Sequence, residues 1–294
     1  MPEERFVYIH GVVGRGRGGH DTVYKALRDG LAAQGVALPD ITDPRSVRTE
    51  WGWKAGTRTG SLAVAQEKLG DLVATAPAKE GFSINPMTAV WNKAASVVRP
   101  IVQYEWSDIA YYTSTEGRQR ARHDVWGQML DEIPQQDVDL TILCHSGGTL
   151  LAHDFLFWLF SGQRDTATPA AGGAALWGGA RAHWRLRRLV TLGSPLTPLM
   201  VRDPDLADRI ATEPRPWFEL KAIGLDAPSH SGPSPLWLNV WDRHDLLSYP
   251  VVGLYPGNRV KDLYADHSDS VPDAHGAYWR SPKVHQILAA HWDD

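Results

Sequence analysis

A chain of 294 residues, 43% hydrophobic and 22% charged, can bury a full core and fits one large α/β domain better than two small ones. A formal net charge of −4 offers no basic field to a polyanion, which argues against nucleic acid as a partner. The opening Met-Pro-Glu-Glu-Arg has no basic-then-apolar leader, no stretch reaches the length of an integral membrane span, and the one cysteine cannot close an intramolecular disulfide, so a cytoplasmic setting is expected.

In chain order, Arg5-Phe6-Val7-Tyr8-Ile9 reads as a strand that runs into His10-Gly11-Val12-Val13-Gly14. Residues 20–34 read as a helix with Asp21 as its cap, 47–53 as a strand, and 62–74 as a helix capped by Ser61. A strand is expected over 101–106 and a long amphipathic helix over 116–133. Residues 138–143 are β-branched and apolar, the pattern of a short buried strand, and 147–160 form a helix apolar nearly all round. Strands over 186–192 and 235–241 follow, then a final helix over 282–291. This alternation predicts a mostly parallel central sheet covered by helices on both faces. There is no internal repeat.

Two segments fit no core element. Residues 79–99 contain Pro86, and 162–184 are rich in Ala, Gly and Thr, with Trp177 and Trp184 set among them. Both are read as cap or lid insertions that line or cover a site near the C-terminal edge of the sheet, the alternative being a disordered or purely packing loop. Most of the 13 tryptophans are expected in the core, because indoles bury large areas.

The chemistry concentrates at Cys144-His145-Ser146-Gly147-Gly148, between the buried strand and the buried helix. A serine among small residues in that setting is a candidate nucleophile on a tight strand-to-helix turn; the plainer alternative is a serine N-cap. His10-Gly11 begins a glycine-bearing loop after an early strand, so the N–H groups of Val12 and Gly147 are candidate donors to a developing oxyanion. After the late strand, Asp242 and Asp245 compete for the role of acid. Asp245 is preferred, since it lies in the turn beyond the strand before Leu246, Leu247 and a proline. His275, beside Gly276 in a polar loop ahead of the last helix, is the candidate base.

With His10-Gly11 early, the Ser146 turn in mid-chain, Leu192-Gly193-Ser194-Pro195 after the next strand, Asp245 late and His275 near the end, the chain resembles the α/β-hydrolase superfamily of lipase/esterase type over most of its length. The resemblance implies an α/β-hydrolase fold and a triad of Ser146, Asp245 and His275. Cys144 departs from the family pattern by standing where the first glycine of the motif is usual. The expected activity is hydrolysis of a small-molecule carboxylic ester through an acyl-enzyme on Ser146, with no cofactor. A thioester or amide remains open, as does the oligomeric state.

Several features point elsewhere. Gly14-Arg15-Gly16-Arg17-Gly18-Gly19 matches a dinucleotide-binding fingerprint and would suit an oxidoreductase, with Asp40 or Asp43 on the ribose. Its first glycine lies too far beyond the strand, and Pro39 and Pro44 interrupt any strand near those acids. His230-Ser231-Gly232, among prolines, reads as a loop, and Ser194 as a turn residue. Asp266, His267, Asp269, Asp273, His275 and His285 lack the spacing of metal ligands, so no metal is expected. A buried Cys144 thiol is expected to be inert. A non-catalytic binding or scaffold protein of the same fold is the alternative from another class.

Overall fold

In the computed structural model the described residues are 2–11, 19–49, 51, 112, 114–161, 173–200, 204–214, 217–255 and 257–294. Within them, apolar and β-branched runs bounded by turns form the strands β1 (Glu3–Ile9), β2 (Ser46–Thr49), β3 (Val138–His145), β4 (Trp184–Leu192), β5 (Leu236–Trp241) and β6 (Val260–Tyr264). They pair in parallel as one six-stranded sheet in the order β2-β1-β3-β4-β5-β6. Seven of the eight residues of β3 are buried, as a central strand covered on both faces requires.

The helices divide between the two faces. Leu27 and Leu31 of α1 (Gly19–Ala32) share a core with Phe6, Tyr8, Leu143 and Leu238. The helices α2 (Thr115–Glu132), α3 (Gly147–Ser161) and α4 (Gly173–His183) pack on the other face, against Val7, Ile9, Leu140 and Ile142. A surface helix α5 (Pro204–Thr212) follows β4, and α6 (Val271–Ala277) and α7 (Pro282–Ala290) follow β6, with α7 joining α1. Period-2 alternation in the strands sends neighbouring side chains to opposite cores. The one break in register lies between Leu140 and Thr141 of β3, opposite Leu186 and Arg188, where β4 carries an extra residue. That bulge lets Leu186 and Leu189 face the same core. An α/β architecture with this all-parallel sheet is consistent with an α/β-hydrolase-like fold.

One expectation changes here. Residues 173–183 are helix, and Trp184, 0% exposed, opens β4 beside Val138. Ser146 lies at the other end of the same ladder, where His145 pairs with Leu192, roughly 20 Å away at the rise of a strand. That part of the 162–184 segment packs against the core: Trp177, half-buried, lies on Trp126 and Phe155. Residues 79–99 and 162–172 lie outside the described residues, as do the readings over 62–74 and 101–106. The edge strand β6, over which no element was expected, carries Lys261 and Asp262. Asn239 and the N–H groups of Val251 and Val252 all donate to the Asp262 carboxylate, so a loop satisfies its charge.

No helix among the described residues is long and apolar enough to cross a membrane.

Candidate active site

The direction in which the chain winds reverses at β1. It leaves β1 toward β2, then returns to lay β3 on the opposite side. In an open parallel sheet the crevice at such a reversal, beyond the carboxyl ends of the two strands, is where ligands bind. His10 and Gly11 follow β1 there, and Ser146 follows β3.

Ser146 has φ 51°, in the left-handed region that costs a non-glycine residue roughly 1–2 kcal/mol. The surroundings oblige it. Its N–H donates to the Leu192 carbonyl at 3.0 Å, and its own carbonyl accepts the Thr149 N–H at 2.9 Å and the Thr149 hydroxyl at 2.7 Å. A buried strand therefore passes into a buried helix through one strained serine, with Gly147 heading α3 and its helix N-terminus directed at the turn. Cys144 fits in the position of the usual glycine because its side chain, 0% exposed, points into the core and its thiol donates to the Val190 carbonyl at 3.3 Å. Burial pushes that thiol well above the ordinary range.

Asp245 and His275 meet. His275 Nδ1 lies 2.9 Å from both carboxylate oxygens of Asp245. The Leu247 N–H donates to Oδ1 and the Tyr278 hydroxyl to Oδ2, each at 2.9 Å. Burial alone would raise the Asp245 carboxyl, but the hydrogen bond and charge of His275, with the Leu247 and Tyr278 donors, leave it below its ordinary value. Gly193 makes room for this group. With φ 59°, a β-carbon there would lie 2.9 Å from the Tyr278 ring, 3.0 Å from Asp245 Oδ2 and 3.2 Å from His275 Cε1.

Asp242 is elsewhere. It is 0% exposed and accepts the N–H groups of His244 at 2.8 Å and His267 at 2.6 Å, so it organises the turn after β5. Leu247 is buried as the sequence suggests, whereas Leu246 is 46% exposed. His275 lies within α6, not in a loop, and is 3% exposed. The backbone turns at Ser270, whose carbonyl accepts from Asp273 and Ala274, and the seven residues that follow are too few to show helical periodicity.

The residue before Ser146 joins the two halves. His145 Nε2 donates to the His275 carbonyl at 2.8 Å, and the two imidazoles stand 4.7 Å apart between ring centroids. Ser146, Asp245 and His275 are thus gathered at one end of the sheet by β3, β5 and the segment after β6. Val12 lies outside the described residues. His145 and Gly193 entered the sequence reading only as members of motifs, and neither they nor Tyr278 had a role assigned. The spacing of Tyr278, three residues after His275, is the one signal that could have marked it, since side chains three apart share a helix face.

The rival motifs go elsewhere. Asp40 and Asp43 precede β2, on the side where the strands begin, and Asp40 pairs with Arg28 on the surface. Residues 14–18 lie outside the described residues. The N–H groups of His230 and Ser231 donate to Asp139 near the start of β3, far from Ser146. Ser194 is 0% exposed, with its hydroxyl 2.9 Å from that of Thr149. His285 Nε2 donates to the Trp279 carbonyl, and among the described residues no group of three or more potential ligands converges on a metal site.

No protein-family model matches the chain, and no curated protein is similar to it in sequence. The geometry of the site carries the functional argument.

Proposed function

We propose that this protein is a serine hydrolase of the α/β-hydrolase type that cleaves carboxylic esters through an acyl-enzyme on Ser146. The observation that carries the reading is a serine strained to φ 51° at the reversal point of a parallel sheet, with a buried Asp245–His275 pair beside it. A plain N-cap serine needs no such backbone.

In this mechanism Ser146 Oγ attacks the ester carbonyl carbon as its proton passes to His275 Nε2. Asp245, ionised and fixed by Tyr278 and Leu247, keeps the Nδ1 proton in place and stabilises the imidazolium. The N–H groups of Gly147 and Val12 receive the oxyanion, each contributing about 3 kcal/mol by analogy with measured donors. Collapse of the tetrahedral intermediate expels the alcohol, which takes the proton from His275. Water then attacks the acyl-enzyme with the same histidine as base, and Ser146 is released. The loop after Asp245 exposes Leu246, Tyr249 and Val252, which favours a substrate with an apolar portion.

A fluorophosphonate probe tests the nucleophile. Wild-type protein and Ser231→Ala should label, and Ser146→Ala should not. Labelling that persists in Ser146→Ala would end the proposal. A series of p-nitrophenyl esters of increasing acyl length, assayed with chelator and without added nicotinamide or flavin, then tests the substrate class.

A further inference from the structure

A second buried aspartate–histidine pair lies behind the first, and its contacts end on the same short helix. The side chains of Asp242 and His267 are both 0% exposed, and the backbone N–H of His267 donates to Asp242 Oδ2 at 2.6 Å. His267 Nε2 is 2.9 Å from the carbonyl of Ala274, so this nitrogen carries the proton and donates. The ring also packs on Tyr278, 4.3 Å between centroids, and Tyr278 is the residue whose hydroxyl donates to Asp245. From the other side, His145 donates to the carbonyl of His275.

The carbonyls of 274 and 275 belong to the two peptides that flank the His275 α-carbon. Both lie in the last turn of α6 (Val271–Ala277), where carbonyl groups have no partner within the helix. Each is held instead by an imidazole from a different strand end. A seven-residue helix has little packing of its own to fix its rotation, and a displacement of roughly 1 Å at a catalytic group can cost about a hundredfold in rate.

We propose that His267, whose backbone N–H is held by Asp242, and His145 are positioning residues that fix both peptides flanking His275 and so aim its imidazole at Ser146. The proposal rests on the reading of Ser146 as nucleophile. It assigns to Asp242 and His267 a role that touches neither substrate nor reacting atoms, through the backbone of the base rather than its side chain.

The test compares steady-state kinetics on a p-nitrophenyl ester for wild type, His267→Leu and His267→Gln, with fluorophosphonate labelling of the wild type as control. His267→Leu removes the donor and should lower kcat by roughly tenfold to a hundredfold while KM stays near the wild-type value. His267→Gln carries an amide nitrogen to about the place of Nε2 and should recover most of kcat. If the leucine variant does not fold, His267→Asn replaces it, because its amide is too short to reach the Ala274 carbonyl. Wild-type kcat in the leucine or asparagine variant, or a glutamine variant no better than these, would overturn the positioning role. A wild-type protein that fails to label would instead overturn the nucleophile reading, and this inference with it.

Discussion

A methyl group built on Gly11 would lie 2.6 Å from the β-carbon of Ser146, closer than such atoms approach in proteins. The loop after β1 therefore packs directly on the strained turn, and neither atom is the free end of a flexible chain. Gly11→Ala should push the loop and the turn apart. We expect kcat/KM to fall at least tenfold, with a loss of stability of about 1–3 kcal/mol from overpacking. Ester kinetics and a thermal melt measure both, and a variant equal to wild type in each would show that the contact is slack.

The two aspartates after β5 should separate by phenotype. Asp245→Asn leaves His275 without its carboxylate, a change that lowers kcat by about 10⁴ in a serine protease. The variant should remain folded, because Asn keeps the shape and an acceptor for the Leu247 N–H. Asp242→Asn weakens a buried acceptor of two N–H groups and should cost roughly 1–3 kcal/mol of stability. It should retain far more activity than Asp245→Asn. A dead but stable Asp242→Asn beside an active Asp245→Asn would reverse the assignment.

Asp245 also predicts an acid limb in stability. Its carboxyl is lowered in the fold, so the unfolded chain binds the proton more readily. The stabilisation is complete above the ordinary carboxylate value of about 4 and is lost as pH falls through the lower, folded one. The difference in melting temperature between wild type and Asp245→Asn should accordingly be constant near neutrality and shrink below about pH 4. A difference that grows on acidification would contradict the direction of the shift.

Cys144 gives a simple probe of the turn. Its thiol is buried and pushed above the ordinary range, so little thiolate is present at pH 8. Iodoacetamide should modify it only in denaturant. Rapid alkylation of the native protein would mean that the strand end opens.

What the sequence made legible is the part with strong local signals. The buried run of β3, the small residues around Ser146 and the all-apolar α3 are patterns that few other structures satisfy. The elements that were misread lack such signals. Residues 173–183 form a helix of mostly Ala and Gly whose pattern shows no clear polar face, and the extra residue in β4 breaks the alternation that would have marked Trp184 and Arg185 as strand. β6 drew no reading, because the partners that satisfy its Asp262, Asn239 and the loop at 251–252, lie on other elements. At the site, Ser146 and the preference for Asp245 came from local context. The contacts of His145, Gly193 and His267 are tertiary, between groups as far as 130 residues apart.

The strand order has a consequence for biosynthesis. Ser146 leaves the third strand of the sheet, whereas His275 arrives only after the sixth has added to its edge. A ribosome that has released β3 and α3 has made the strained serine but not His275, and more than a hundred residues must still emerge before the two share one end of the sheet. In the proposed mechanism a shorter nascent chain would hold the nucleophile without its base, and the order of the strands would withhold hydrolysis until the edge strand is seated.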